Sequence, residues 1–271
     1  MTAFLFWNIN RKNLTSLVVD LVWRHDVDVL MLVESGIPPE DLPLEVNQGE
    51  RAGYHYARGI GCQRVHIFTR FPAAFATPVY ETERLTIRHL RPPGLTDVLL
   101  AVAHLPSKQH WDDASQRLEC VSLSEAIRSE EHKIGHSRTV LVGDLNMSPF
   151  EDGVVSAAGL HGVMSRQIAR RGSRAVQSRE YPFFYNPMWN FMGDEPPGPP
   201  GTYYYSRATQ REFFWHMFDQ VLIRPDLLDR FATRDLQVVQ HADHTPLLTA
   251  AGLPNTDEAS DHLPLLFQLG L

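Results

Sequence analysis

Short apolar runs that alternate with helical segments constrain the fold of this chain more than any other feature of its sequence. Runs with the length and apolar character of buried strands occupy residues 4–8, 27–33, 65–69, 85–90, 98–104 and 139–143. Residues 13–24 and 111–129 place apolar side chains at helical spacing, and the first of these helices follows a candidate cap at Asn13. A strand, a helix, a strand and then several strands in succession predict an α/β or α+β layered fold, with helices covering sheets.

The composition supplies a packed core and excludes several other classes of protein. The chain has 271 residues, of which 43% are hydrophobic and 21% charged, so it lacks the signature of general disorder. Its two cysteines, Cys62 and Cys120, rule out a fold stapled by several disulfides and are expected to be reduced core residues. Because no fixed repeat and no polar linker is visible, we predict a single domain over residues 1–271, with an arginine- and aromatic-rich insertion at about 164–207.

The charge balance is acidic, since Asp and Glu outnumber Lys and Arg by 32 to 25 and give a net charge of −7. This balance argues against a protein that coats nucleic acid through bulk positive charge, but it is compatible with a nuclease because metal-binding sites are themselves acidic. The apolar run at residues 3–7 lacks the features of a signal peptide and is expected to be the first strand. No apolar stretch approaches the roughly 20 residues of a transmembrane helix. We therefore expect a cytoplasmic protein without membrane insertion and without an obligate protein partner.

Acidic, amide and imidazole side chains recur where the predicted strands begin or end. In α/β proteins, the carboxyl edge of the sheet is the usual place for a functional site. One such residue alone most often caps a turn or a helix, but several in one chain predict a shared site. The residues concerned are Asn8, Glu34, His104, Asp144, Asn146, Asp219, Asp261 and His262.

Six segments that contain these residues resemble, in the same order, the motifs of the endonuclease/exonuclease/phosphatase superfamily, which includes exonuclease III, deoxyribonuclease I and the sphingomyelinases. They are WNIN at 7–10, VES at 33–35, HLPSK at 104–108, GDLNMSP at 143–149, FDQVLIRP at 218–225 and SDHLPL at 260–265. The resemblance implies a four-layered α/β/β/α sandwich, in which two packed, mainly antiparallel or mixed β-sheets are flanked by helices. His104 stands where members similar to exonuclease III usually carry tyrosine, so this segment looks more like deoxyribonuclease I or the sphingomyelinases.

The chemistry of the shared site suits hydrolysis of a phosphodiester, which requires charge neutralisation and an aligned, deprotonated water. Asp144 is suited to orient and deprotonate that water, with Asn146 holding its position. A protonated His262 is suited to donate to a phosphate oxygen, and the resemblance implies Asp219 as its carboxylate partner. His104 is expected to stabilise the charge that develops on the phosphorus-bound oxygens.

Oxygen ligands for a hard divalent cation occur in the same set. Glu34 is suited to Mg²⁺ or Mn²⁺, Asn8 adds an amide oxygen, and Asp261 is expected to be a second ligand or a support of the metal site. His241 and His244 have a spacing that suits zinc on a helix, but no further ligand follows at zinc spacing. We interpret these two histidines as surface-loop residues.

An arginine-rich segment followed by aromatic residues bears on the substrate. Residues 166–179 contain Arg but no acid, and residues 181–191 and 203–205 are rich in aromatic side chains on either side of the loop DEPPGPPG at 194–201. Arginine pairs with phosphates and aromatic faces stack on bases, so this composition favours nucleic acid or a nucleotide. A solvated helix face and rings that bury the loop are the alternative interpretation. The candidate substrate contacts are Lys108, Arg170, Arg171 and Trp189.

We predict a divalent-metal-dependent phosphodiesterase, and specifically a nuclease that hydrolyses DNA, RNA or nucleotide phosphodiester bonds by in-line attack of an activated water. The alternative is a phosphoesterase of the same fold that acts on a phospholipid, an inositol phosphate or another ester, because the fold does not select the substrate. A third hypothesis is a catalytically inactive binding scaffold. It predicts missing active-site residues, whereas Glu34, Asp144 and His262 are all present.

Overall fold

A computed structural model describes residues 1–48, 53–109, 111–208 and 210–271. The strands, in chain order, are β1 (Thr2–Asn8), β2 (Val29–Val33), β3 (His55–Tyr56), β4 (Val65–Thr69), β5 (Ala76–Glu81), β6 (Leu85–Leu90), β7 (Val98–His104), β8 (Thr139–Asp144), β9 (Gly162–Val163), β10 (Ser173–Val176), β11 (Arg179–Pro182), β12 (Phe184–Tyr185), β13 (Tyr203–Tyr204), β14 (Trp215–His216), β15 (Asp219–Ile223), β16 (Gln237–Val238), β17 (His241–Ala242), β18 (Thr245–Pro246) and β19 (Leu265–Leu269). The α-helices are α1 (Thr15–Arg24), α2 (Leu42–Val46), α3 (Asp113–Ile134), α4 (Asp152–Val155) and α5 (Arg166–Ala169). Short 3₁₀ helices cover Ala73–Phe75, Pro187–Phe191, Pro225–Arg230 and Thr233–Asp235.

Two large mixed β-sheets form the centre of the fold. The first sheet has the strand order β16-β19-β1-β2-β4-β3, and the second has the order β5-β6-β7-β8-β15-β12-β9. In the first sheet, β1 and β2 are parallel and α1 connects them; in the second, β7 and β8 are parallel and α3 connects them. Parallel strands joined by a crossover helix end at the same edge of their sheet. The polar residues at or directly after the ends of β1, β2, β7 and β8 are thereby brought to two such edges.

Side chains of β7 alternate between two apolar cores. Leu99 and Ala101 belong to the core that includes α3, whereas Leu100 and Val102 belong to the core shared with the first sheet and with Leu21 of α1. Because successive side chains of a strand point to opposite faces, the second sheet lies between α3 and the first sheet. The predicted sandwich of two sheets covered by helices is confirmed.

The predicted strands and helices agree with the structure to within a few residues at their ends. The first helix begins at Thr15 rather than at Asn13, whose Oδ1 accepts a hydrogen bond from the backbone N–H of Thr15 at 3.3 Å. The second helix begins after Asp112, whose side chain accepts from the N–H of Ser115 at 2.8 Å, and it continues beyond the predicted end to Ile134. Within the described part of the chain, every helix is too short or too polar to cross a bilayer.

The arginine-rich segment forms the short helix α5 and then the antiparallel hairpin of β10 and β11. It therefore does not form one continuous, solvated helix face. The turn of the hairpin lies at Gln177 and Ser178, which have φ values of +49° and +63°. His241 and His244 are exposed and lie in and beside the short β17–β18 hairpin, as expected of surface-loop residues.

Candidate active site

Three polar side chains lie side by side at one edge of the second sheet. His104 pairs with Asp144 across the parallel strands β7 and β8, and Asp144 pairs with Asp219 across the antiparallel strands β8 and β15. All three residues are buried, with exposed fractions of 6%, 1% and 0%. The register of the backbone therefore sets the spacing of these side chains, although as many as 75 residues separate positions 144 and 219 along the chain.

The first sheet contributes Asn8 and Glu34 to the same place. Asn8 is the last residue of β1, and its Nδ2 donates to Asp144 Oδ2 at 2.9 Å. Glu34 directly follows β2, and its Oε1 lies 3.2 Å from His104 Nε2. These two contacts join the edges of the two sheets, so the site lies where the sheets converge.

The segment at residues 260–262 is tied to the end of β1. Trp7 Nε1 donates to the carbonyl oxygen of His262 at 2.8 Å, and Ser260 Oγ donates to the carbonyl oxygen of Asn8 at 2.7 Å. This anchoring holds the imidazole of His262 against β15, with Nδ1 located 2.8 Å from Asp219 Oδ2.

The imidazole of His262 is a cation in this environment. Burial alone would lower the pKa of His262, but the carboxylates of Asp219 and Asp144 raise it to about 10. With Nδ1–H donated to Asp219, the Nε2 atom lies 3.9 Å from Asp144 Oδ2, which is beyond hydrogen-bond distance. The proton on Nε2 therefore remains available to a ligand.

Glu34 presents an ionised carboxylate at the edge of the first sheet. The hydrogen bond from His104 lowers the pKa of Glu34, and the charge of Arg11, whose Nε lies 3.4 Å from Glu34 Oε2, lowers it further. The side chain of Glu34 is 26% exposed, whereas that of Asp144 is 1% exposed. Glu34 is therefore the more accessible of these two carboxylates.

Two site residues have left-handed backbone conformations. Glu34 has φ +46° and Asn146 has φ +50°. Asn tolerates this region more readily than Glu, and its conformation here is fixed by bonds from its N–H to Asp144 Oδ1 and from its Nδ2 to Leu105 O, both at 2.9 Å. Uncommon φ values of this kind concentrate at functional sites, because the surrounding structure must hold them.

At this site, two sets of described residues have the geometry or chemistry to hold a cation. Ligand-type atoms of Asp144, Asp219 and His262 lie within 4.8 Å of one another. A protonated His262 that donates to Asp219 does not ligate a metal, because both ring nitrogens carry protons. The oxygen atoms of Asn8, Glu34 and Asp261 therefore fit a hard divalent cation better.

Asp261 lies close to His262, since its charge contributes to the raised pKa of His262, and its Oδ1 lies 3.3 Å from the Oγ of Ser260, the hydroxyl that donates to the carbonyl oxygen of Asn8. The thiols Cys62 and Cys120 are both buried and free, as expected.

Two of the four candidate substrate contacts are engaged by acidic side chains. Lys108 Nζ forms ion pairs with Glu151 and, at 3.2 Å, with Asp113. Arg170 Nη2 lies 2.5 Å from Asp229 Oδ1, and both of these side chains are exposed. Among the described residues, no hydrogen bond or ion pair joins Lys108 or Arg170 to the row of His104, Asp144 and Asp219.

The other two candidate substrate contacts line one cavity. Arg171 and Trp189 contribute to the wall of a cavity of about 500 Å³, together with Arg174 and Phe183. The indole of Trp189 contacts the ring of Phe150, with centroids 6.3 Å apart, and Phe150 follows the GDLNMSP segment. The cavity is thus connected to the active-site loop through this ring contact.

Thr202 and Tyr203 belong to the site, although the sequence did not single them out. Thr202 Oγ1 accepts a hydrogen bond from the N–H of Asp219 at 3.1 Å. Tyr203 forms an isolated backbone bridge with His262, and their rings lie 4.7 Å apart. Burial raises the pKa of Tyr203, and the charges of Asp261 and Asp144 raise it further. The tyrosines at 203–205 were visible in the sequence, but nothing there distinguished Tyr203 from its neighbours.

Comparison with known proteins is consistent with this geometry. Residues 5–262 match the sequence model of the Endonuclease/Exonuclease/phosphatase family. No curated protein sequence is significantly similar to the chain.

Solved structures share the fold at low sequence identity. The endonuclease domain of TRAS1, a telomere-specific non-LTR retrotransposon, is 15% identical with a TM-score of 0.57, over 100% of this chain and 99% of that one. Truncated TDP2 from Caenorhabditis elegans is 16% identical with a TM-score of 0.56, over 100% and 98% of the two chains. An AP endonuclease from Archaeoglobus fulgidus is 16% identical with a TM-score of 0.53, over 100% of both chains.

Proposed function

Because this chain belongs to the Endonuclease/Exonuclease/phosphatase family, we propose that it is a divalent-metal-dependent nuclease that hydrolyses phosphodiester bonds of nucleic acid or nucleotides. The observation that carries the proposal is the placement of His262 between two carboxylates, 2.8 Å from Asp219 Oδ2 and 3.9 Å from Asp144 Oδ2. A phosphodiester is anionic and resists attack by water, so its hydrolysis requires a proton donor, a base and a cation at one place.

Asp144 is the base in this proposal. Its two carboxylate oxygens accept hydrogen bonds from Asn8 Nδ2 and from the N–H of Asn146, both at 2.9 Å, which fix the orientation of the carboxylate. Each oxygen retains a further acceptor site, so the carboxylate is able to orient a water molecule and take its proton. Asn146 thereby positions the base.

His262 and His104 act on the phosphate oxygens. The Nε2–H of His262 donates to a non-bridging oxygen, and the ion pair with Asp219 keeps this imidazole protonated and oriented. His104 Nε2, located 3.8 Å from Asp144 Oδ2, donates to Glu34 Oε1 at 3.2 Å, so His104 becomes a second donor to the phosphate once it releases Glu34. Both donors act on the negative charge that grows as water attacks.

Asn8, Glu34 and Asp261 would hold the metal ion. When bound, a divalent cation such as Mg²⁺ or Mn²⁺ neutralises phosphate charge and polarises the phosphoryl oxygen. The accessible, ionised carboxylate of Glu34 is the ligand with the most direct support, because the pKa of Glu34 is lowered and its side chain is 26% exposed.

Two observations support a nucleic-acid or nucleotide substrate. Arg171 and Arg174 form no ion pair with any residue in the described part of the chain, so their guanidinium groups are available to phosphates. Two of the solved structures that share the fold are named as endonucleases, namely the TRAS1 domain and the AP endonuclease.

The proposal is tested by measuring hydrolysis of labelled DNA, RNA, nucleotides, sphingomyelin and inositol phosphates in the presence of Mg²⁺. We expect the parent to hydrolyse nucleic acid or nucleotides and the Asp144→Asn variant to lose this activity. Turnover of lipid or inositol phosphate alone would favour the non-nucleic-acid phosphoesterase. Metal binding without hydrolysis of any ester would favour an inactive scaffold.

A further inference from the structure

A continuous path of ring contacts leads away from His262. Tyr203 contacts His262 at a centroid distance of 4.7 Å and contacts Phe218 at 5.4 Å. Phe218 stacks on His216 at 4.7 Å, and His216 contacts Phe213 edge-on at 6.3 Å. The path therefore connects the catalytic imidazole with Phe213, which is 63% exposed.

The path continues from Phe213 to the cavity. Phe213 contacts Phe150 at 5.3 Å, and Phe150 contacts Trp189 at 6.3 Å. Trp189 forms part of the wall of the 500 Å³ cavity. We refer to the rings that connect His262 with this cavity as the aromatic track, which consists of Tyr203, Phe218, His216, Phe213, Phe150 and Trp189.

Positive charge is available at the far side of the cavity. Arg171 and Arg174 both line the cavity, are exposed, and form no ion pair with a described residue. The neighbouring arginines differ, since Arg170 pairs with Asp229 and Arg166 donates to the carbonyl oxygens of Leu228 and Phe231. The guanidinium groups of Arg171 and Arg174 are thus available to an anion at the cavity.

The cavity wall also holds an unsatisfied hydrogen-bond acceptor. His161 is 2% exposed and lines the cavity, and its Nδ1 lies 3.1 Å from the carbonyl oxygen of Tyr181. This contact requires the proton on Nδ1, so Nε2 is an acceptor, and it has no hydrogen-bond partner among the described residues. Buried polar atoms in native proteins are nearly always bonded, so this unpaired acceptor is an exception at the cavity wall.

These features suit a strand of nucleic acid whose bases are unpaired. Stacking on a side-chain ring requires an exposed base face, which a base inside a duplex does not offer. The two guanidinium groups would pair with the phosphate of a nucleotide or of a phospholipid, but an acyl chain has no flat face that stacks on the rings, whereas a base has one. Rings, a hydrogen-bonding group and unpaired arginines in one place match a nucleotide better than a lipid.

We propose that the aromatic track and the cavity bind an unpaired nucleic-acid strand, with bases stacked on Phe213 and Trp189 and a phosphate paired with Arg171 and Arg174. The neighbouring phosphodiester bond then lies at His262. The binding step stands on these contacts alone, and only the cleavage of the bound strand rests on the proposed function.

Binding is measured separately from hydrolysis by using the Asp144→Asn variant as the background. Fluorescence anisotropy with a short labelled oligodeoxynucleotide gives the Kd for the single strand and for the duplex of the same sequence. We expect tighter binding of the single strand. Phe213→Ala and Trp189→Ala are each expected to raise its Kd about five-fold or more, because stacking on an aromatic side chain is worth about 1–3 kcal/mol per base.

Three further variants distinguish stacking and charge from general damage. Leu118→Ala removes an apolar side chain on α3 that is 63% exposed, as Phe213 is, and should leave Kd unchanged. Phe213→Trp retains a stacking face and should bind as the background does. Arg171→Ala combined with Arg174→Ala should raise Kd and reduce the dependence of binding on salt.

The inference is overturned if Phe213→Ala and Trp189→Ala bind the single strand as tightly as the background does. It is also overturned if Phe213→Ala loses binding to sphingomyelin vesicles while binding of the oligonucleotide is unchanged. A parent protein that binds the single strand through Phe213 but hydrolyses no nucleic acid would contradict the proposed function and leave this inference standing.

Discussion

His262 and Asp219 form a buried ion pair at the start of β15, with Nδ1 and Oδ2 separated by 2.8 Å. Burial opposes the charge on the imidazole, but Asp219 and Asp144 raise the pKa of His262 from 6.5 to about 10. A group whose pKa is raised by folding stabilises the folded state fully below its unfolded pKa. This stabilisation is lost as the pH rises towards the folded pKa.

The ion pair of His262 and Asp219 should make the stability of the protein depend on pH. In a metal-free buffer, the free energy of unfolding of the parent should fall as the pH is raised from 6.5 towards 10, because over this range the unfolded state has released the proton that His262 still binds in the folded state. Asp219→Asn removes the carboxylate that holds this proton and should show a flatter profile. Urea unfolding across a pH series measures the stability of both proteins. Parallel pH profiles for the parent and for Asp219→Asn would contradict the ion pair.

Substitutions at the reacting centre should lower turnover, and Asp144→Asn should do so with little effect on folding. We expect Asp144→Asn and His262→Ala each to reduce kcat by at least about 10²-fold, because positioned acid–base groups contribute on that scale. His241→Ala is the matched control, since this histidine is exposed on β17. Steady-state kinetics and thermal unfolding check the prediction, and a variant with near-normal turnover would remove its residue from the catalytic set.

Activity should depend on a divalent cation. Chelation by EDTA is expected to abolish hydrolysis, and Mg²⁺ or Mn²⁺ should restore it, because the donor set consists of hard oxygen atoms. Glu34→Gln should raise the Mg²⁺ concentration required for half-maximal activity, since it removes an accessible anionic ligand. Full activity in excess EDTA would be incompatible with the proposed mechanism.

The close approach of β7 and β8 makes Gly143 essential to the site. A Cβ at Gly143 would lie 1.9 Å from the carbonyl oxygen of Ala103, which forces the two strands apart. Gly143→Ala should therefore destabilise the fold by about 1–3 kcal/mol, as overpacking in a core does. At Gly270, the nearest atom to an added Cβ lies 3.6 Å away, so Gly270→Ala should change stability by no more than about 0.5 kcal/mol. Urea denaturation distinguishes these outcomes.

A second histidine cluster, formed by His89, Asp97 and His136, lies at the opposite end of β7 and is not expected to bind zinc. His89 Nε2 and His136 Nε2 lie 2.8 and 3.1 Å from Asp97 Oδ2. The N–H of Arg138 donates to His136 Nδ1 at 3.2 Å, so the neutral ring carries its proton on Nε2, the atom that zinc would need. Added zinc should leave the melting temperature unchanged, and a rise would contradict this assignment.

The same cluster should contribute to the loss of the protein's stability at acidic pH. Burial opposes ionisation of Asp97, but hydrogen bonds from His89, Arg138 and His136 lower its pKa below the ordinary 3.8. A carboxylate whose pKa is lowered by folding stabilises the folded state at pH values above its unfolded pKa. This stabilisation is lost as the pH falls towards the folded pKa. Asp97→Asn should flatten the loss of stability below about pH 5, whereas Asp257→Asn, an exposed control, should retain it.

The sequence by itself determined six strands of the two sheets, namely β1, β2, β4, β6, β7 and β8, and the polar residues at or beside strand ends. Apolar runs such as Val98–His104 are long enough for a buried strand and too short for a typical helix, so periodicity and length specify them locally. GDLNMSP follows such a run and SDHLPL precedes one, in the order known from the superfamily. Strand identity and chemical type are local properties, and local properties are readable from sequence.

Only the tertiary structure decided which of these residues meet and what the arginine-rich segment forms. The contacts between His104, Asp144 and Asp219 depend on strand order and register, which no local pattern encodes. Residues 166–179 form a short helix and a hairpin whose turn residues, Gln177 and Ser178, lack the Gly or Asn that usually signals a tight turn. Arg170 pairs with Asp229, whereas Arg171 forms no ion pair with a described residue. This difference depends on acidic residues distant in sequence, so only the folded structure decides it.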